Sequence, residues 1–135
     1  MELNLDSIRL VNLFENFTGV KVKDCLIKPD LIIFIVEENK VGQAIGKGGS
    51  KIKHLEGALK KKLRIIEYSP DKIKFLSNIL SPLKELDITS NGDVLCIKTP
   101  NSFIKGKVYG RGRDNLKEVK EIFKRFFDVE DIKVI

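Results

Sequence analysis

The strongest constraint on the fold of this chain is an internal repeat. When its 135 residues are shifted by 64 positions, Gly46 falls on Gly110 and Gly48 on Gly112. Ile52 then falls on Leu116, Leu55 on Val119, Leu59 on Phe123 and Leu63 on Phe127. With small adjustments Leu31–Ile35 maps near Val94–Lys98, and Ile8, Val11 and Phe14 map onto Ile73, Leu76 and Ile79. Identity between the halves is low, but a fixed period points to one supersecondary unit used twice. Units of about 65 residues have thin cores and usually need support from a neighbour.

Each half reads in the same α+β order of helix, strand, strand, helix, helix, strand. The opening helices put Ile8, Val11 and the Phe14/Phe17 pair on one face in the first half, and Ile73, Leu76, Ile79 and Leu80 in the second. Asp6 or Ser7 is the expected N-cap of the first helix. Ser69 is the expected cap of the second, with Pro70 at its first position. Gly19 and Ser81-Pro82 should end them. Strands are expected at 21–28 and 31–37 around Pro29-Asp30, and at 84–89 and 93–98 around Asn91-Gly92, a strong hairpin signal. The longer helices, 50–62 and 114–127, should bury Ile52, Leu55 and Leu59, or Leu116, Val119, Ile122, Phe123 and Phe126. Closing strands at 63–68 and 131–135 complete two domains, 1–68 and 69–135, with almost no linker.

Hydrophobic residues at 42% and charged residues at 33% suit a folded chain. The longest apolar run, Leu31–Val36, is the length of a buried strand, far short of a membrane span. The start Met1-Glu2-Leu3-Asn4 lacks the basic and apolar segments of a signal peptide. Cys25 and Cys96 lie in candidate strands and are expected as two buried thiols, and one histidine with two distant cysteines makes no zinc site. The expectation is a soluble, reduced, cytoplasmic protein without metal or cofactor.

Charge is distributed unevenly along the chain. Residues 40–64 carry +7 and residues 105–125 carry +5, so the remainder is −6 within a net +6. Concentration of this kind fits polyanion contact, although a solvated helical face gives the same pattern. Both basic windows contain a glycine loop. The first runs Ile45-Gly46-Lys47-Gly48-Gly49-Ser50-Lys51-Ile52. Glycine there allows a sharp helix–loop–helix joint, exposing N–H groups beside a helix start, where a phosphate oxygen can bind. Lys47 and Lys51 add mobile point charges.

This run resembles the I-G-x-x-G-x-x-I signature of KH domains, and the element order of both halves resembles the bacterial, type II form. Two such modules without a linker resemble the tandem KH pair of NusA transcription factors, and the short chain resembles the archaeal NusA-like proteins. The resemblance implies two tandem type II KH domains, each with a three-stranded sheet, that bind single-stranded RNA. Carried over by position, Gly46, Lys47, Gly48 and Gly49 grip phosphates, while Ile45, Ile52 and either Ile33 or Ile35 line a base-holding groove. The second loop, Tyr109-Gly110-Arg111-Gly112-Arg113-Asp114, has Arg113 where the fourth glycine belongs. It is expected to touch RNA through Arg111 and Arg113 or else to serve as a structural partner. The resemblance also implies a role in transcription elongation, termination or antitermination, with RNA polymerase as a candidate partner.

Other readings are weaker. A P-loop needs four residues between its glycines and Ser or Thr after its lysine; Gly42 and Gly46 have three between them, and Gly48 follows Lys47. In the dinucleotide pattern Lys51 stands where the third glycine belongs. His54 and the Glu37-Glu38 pair have no nucleophile or base partner in the pattern, so no enzyme is expected. The main rival is a protein-binding module on the same scaffold, docking an acidic face of RNA polymerase or of a ribosomal protein.

Overall fold

In the computed structural model, which describes residues 4–135, the chain divides after Ser69 into the units Met1–Ser69 and Pro70–Ile135. The first unit comprises α1 (Leu5–Thr18), β1 (Val22–Ile27), β2 (Leu31–Val36), α2 (Val41–Ile45), α3 (Ser50–Leu59) and β3 (Lys62–Glu67). The second comprises α4 (Lys72–Leu80), β4 (Asp87–Asn91), β5 (Val94–Lys98), α5 (Ser102–Tyr109), α6 (Asp114–Lys124) and β6 (Asp131–Val134). Each has a three-stranded sheet in sequence order, its central strand antiparallel to the first and parallel to the last. A parallel neighbour requires a crossover, which the two consecutive helices of each unit supply.

The helix starts differ from the sequence expectation. Asn4, not Asp6 or Ser7, caps α1: its side chain accepts from Ser7 N, and the Ser7 hydroxyl accepts from Asn4 N, a reciprocal capping box. Asp71, not Ser69, caps α4, accepting from Ile73 N and Lys74 N. One carboxylate there meets two orphan N–H groups at the positive end of the helix. The buried face of α1 is also rotated from expectation. Ser7, Phe14 and Thr18 are buried, whereas Ile8 and Phe17 are each 41% exposed. An i, i+3, i+6 series drifts round a helix of 3.6 residues per turn, and the core follows i, i+7, i+11 instead. Ile73 is likewise 38% exposed, while Phe75, Leu76, Ile79 and Leu80 are buried.

The second hairpin turns one residue later than Asn91-Gly92. Asn91 pairs with Val94, leaving Gly92 and Asp93 as the turn, with positive φ at Gly92. That register buries Leu95 and Ile97; a one-residue slip would reverse every side chain of the strand. Helix α3 stops at Leu59, short of residue 62, because Lys60 turns left-handed (φ 57°) and its N–H bonds Glu56 O. Helix α6 stops at Lys124, and Phe126 is half-buried.

In the first unit the core lies between sheet and helices. Phe14 of α1 stacks on Phe34 of β2 at 4.2 Å, among Ile32, Val36, Ala44, Leu55 and Leu63. The second unit is more aromatic: Phe75 packs on Phe123, Phe126 and Phe127 at 5.3–6.0 Å. Strand β2 is buried on both faces. Ile33 and Ile35, on the face away from Ile32 and Phe34, are 0% exposed. They are interior residues of the sheet and do not line an open groove, which corrects the sequence expectation. A continuous apolar run is what two-sided burial of a central strand demands, and that left no exposed alternation to read. Neither cysteine is in a disulfide; Cys25 is buried, but Cys96 is only half-buried.

The closing strand β6 begins with a half-buried ion pair. Lys120 Nζ lies 2.9 Å from Asp131 Oδ1, and that hydrogen bond, with a second from Ile132 N, holds the Asp131 carboxyl below its ordinary range. A carboxylate depressed in the folded state adds stability above its unfolded value, and this is lost as pH falls through its folded value. Asp131→Asn should therefore lower the thermal midpoint slightly at neutral pH, and the difference should close on acidification. A difference that persists in acid would show that the charge is not responsible.

Candidate nucleic-acid interface

The two glycine loops have the same backbone. After α2, Gly46 (φ 79°, ψ 169°) breaks the helix, and a 3₁₀ turn, Lys47–Gly49, leads into α3 with Gly48 at φ 63°, ψ 20° and Gly49 at φ 75°, ψ 17°. After α5 the corresponding values are φ 70°, ψ 176° at Gly110, φ 62°, ψ 21° at Gly112 and φ 64°, ψ 17° at Arg113. Hydrogen bonds repeat as well. Gly46 N bonds Gly42 O, and Gly49 N bonds Gly46 O; Gly110 N bonds Gly106 O, and Arg113 N bonds Gly110 O. Arg113 thus adopts the left-handed conformation of the glycine it replaces, at about 1–2 kcal/mol for a residue with a Cβ.

The glycines are required for different reasons. A Cβ on Gly110 would stand 2.5 Å from Asn115 Cβ and 3.0 Å from Asn115 N, and one on Gly46 would stand 2.8 Å from Lys51 Cγ and 3.0 Å from Lys51 N. Gly48 and Gly112 have no atom within 4 Å of that point, so only their positive φ favours glycine. Close packing at the first glycine brings the next helix up against the joint, while the third leaves an exposed loop tip. Lys47 and Gly48 are both exposed, and Ile45 and Ile52 are half-buried on either side. The first loop is therefore a basic, glycine-tipped turn between two aliphatic side chains.

Lys51 is placed differently from its expected position over the loop. Its Nζ lies 3.4 Å from Thr18 O at the C-terminal end of α1, where a cation is favoured by the helix dipole. Gln43 Nε2 reaches the same end, 3.3 Å from Thr18 O and 3.4 Å from Gly19 O. His54, also exposed, stacks on Phe17 of α1 at 4.7 Å and 11°. The flank of α2 and α3 bearing Gln43, Lys51 and His54 thus faces α1. In the second unit Asn115 stands where Lys51 stands in the first, and its Nδ2 donates to Val108 O at 2.8 Å. Arg111 and Arg113 are exposed, and the Arg113 guanidinium lies over the Tyr109 ring at 5.0 Å. Tyr109 was passed over in sequence, although the 64-residue shift sets it on Ile45.

Among the described residues there is no group of three or more His, Cys, Asp or Glu side chains able to hold a metal. No helix among them is long and apolar enough to cross a membrane. The Glu37-Glu38 pair lies in the turn after β2.

A family model for the KH domain matches residues 11–135, nearly the whole chain. This is a KH-domain protein. It is related to the archaeal NusA-type transcription factors. The "Probable transcription termination protein NusA" of Methanocaldococcus jannaschii is 36% identical over 138 aligned positions, spanning 100% of this chain and 75% of that protein. The protein of the same description in Halobacterium salinarum is 29% identical, with 99% of this chain and 98% of that one aligned. Among solved structures, the crystal structure of APE1850 matches with a TM-score of 0.77 at 29% identity, over 98% of this chain and all of that one. KH proteins of the NusA family are RNA-binding, non-catalytic modules, and the α+β arrangement with a three-stranded sheet is the KH fold.

Proposed function

We propose that this chain consists of two tandem type II KH domains, meeting at Tyr68–Ser69, and acts as a NusA-like factor on single-stranded RNA during transcription. The supporting observation is that Gly46–Gly49 and Gly110–Arg113 share one backbone, with matching torsions and hydrogen bonds. In the first loop, Gly46, Lys47, Gly48 and Gly49 take the phosphates and Ile45 and Ile52 wall the bases. In the second, Gly110, Arg111, Gly112 and Arg113 present a second basic contact for RNA. Phosphate contact supplies affinity, and the aliphatic walls supply preference among bases. The relatives' names support a role in transcription termination; action in elongation or antitermination and RNA polymerase as a partner extend that reading through the resemblance to NusA factors.

The test is a binding screen of short single-stranded RNAs against DNAs of matched sequence. Saturable binding is expected for RNA and weaker binding for DNA, through contacts to the 2′-hydroxyl. A grip on three or four phosphates should make log K fall with log salt at a slope of about −2 to −3. Saturable binding to neither nucleic acid would overturn the RNA reading and leave the protein-docking rival.

A further inference from the structure

The second loop carries a substitution pattern that a phosphate grip alone does not explain. Relative to the first loop, Ile45 is replaced by Tyr109 and Gly49 by Arg113, and these two changes meet in space. Tyr109 follows Val108, which is buried, so it points about 100° round α5 from the core. In the first unit Ile45 follows buried Ala44 in the same way, while Gln43 on the other flank reaches back to α1. Tyr109 therefore occupies the flank that carries the aliphatic wall of the first loop. The left-handed backbone at Arg113 returns its side chain across the loop, placing the guanidinium 5.0 Å from the Tyr109 ring centre. Arg113 is exposed, whereas Tyr109 is half-buried.

We infer that Tyr109 and Arg113 form a stacking platform for one nucleobase of a single-stranded RNA, the base lying on the outer face of the guanidinium. The inference rests on the RNA-binding reading above but assigns a different contact from phosphate gripping. A guanidinium anchored on an aromatic ring is a flat, preorganised surface, and unstacked RNA bases commonly lie on arginine planes or aromatic rings. Arg111, which has no such anchor among the described contacts, remains available for a phosphate. The two loops thus divide the work: the first meets bases with aliphatic walls, the second with a planar cation.

The test compares Arg113→Lys, Arg113→Gly and Tyr109→Ile with wild type in binding short single-stranded RNA, with Lys47→Asp/Gly48→Asp as the control for the RNA reading. Arg113→Gly fits the backbone that Gly49 already shows, and Tyr109→Ile installs the first loop's own residue, so both variants should fold. All three should lower affinity about tenfold, as loss of one base stack does. The Arg113 Nε–H resonance should move upfield when RNA is added, and stay in place with an abasic oligomer of equal length. If Arg113→Lys binds like wild type, the contact is a point charge on phosphate and the platform is wrong. If the three variants retain affinity while the double aspartate loses it, the RNA reading stands and the platform falls. If wild type binds no RNA, both fall.

Discussion

Gly110→Ala should destabilise the protein by about 3 kcal/mol, although the change adds one methyl group. At φ 70°, ψ 176° the residue lies in a region essentially reserved for glycine, where another residue pays roughly 1–3 kcal/mol. The new Cβ would also stand 2.5 Å from Asn115 Cβ. Asn115 cannot readily move aside, because its Nδ2 donates to Val108 O at 2.8 Å and it lies in the first turn of α6. Gly112→Ala is the matched control. Its φ of 62° is also left-handed, but nothing lies within 4 Å of the added Cβ, so about 1 kcal/mol is expected. Urea unfolding monitored by far-UV circular dichroism measures both. Equal losses would mean that the close approach of Asn115 contributes nothing.

Lys47→Asp/Gly48→Asp should reduce affinity for single-stranded RNA by about a hundredfold or more while leaving the fold intact. Both positions are exposed, and a Cβ at 48 meets no atom within 4 Å beyond its chain neighbours. Aspartate tolerates the left-handed conformation better than most residues, so the loop should keep its shape. Losing one charge-assisted contact removes about 1.5–3 kcal/mol. Two carboxylates facing a phosphate then add repulsion where attraction stood. Fluorescence anisotropy of a labelled short RNA, with circular dichroism to verify folding, measures the change. Unaltered affinity would remove the first loop from the interface and with it the main support for the KH-type grip.

Much of this arrangement was legible before any coordinates. Helix starts and stops were approximately readable, but their caps were not. Asn4 and Asp71 compete locally with Ser7 and Ser69, and only the path of the chain shows which oxygen meets the free N–H groups. The hairpin at Asn91-Gly92 was recognisable, yet both Asn-Gly and Gly-Asp suit a two-residue turn. Burial of Leu95 and Ile97 selects the second. Lys51 reads in sequence as a loop cation, and Thr18 O, distant in sequence, is what draws it to α1.

The repeat, the order of elements and the position of both glycine loops were determined by sequence alone. These depend on local requirements: periodicity for helices and strands, and positive φ at Gly46, Gly48 and Gly49 and again at Gly110 and Gly112. Tertiary structure decided what each side chain faces. It buried Ile33 and Ile35, turned Lys51 to the end of α1, and laid Arg113 over Tyr109 in the conformation of a glycine. Side-chain direction follows from how helices pack and where the chain returns, and neither is encoded in the spacing of residues along one element.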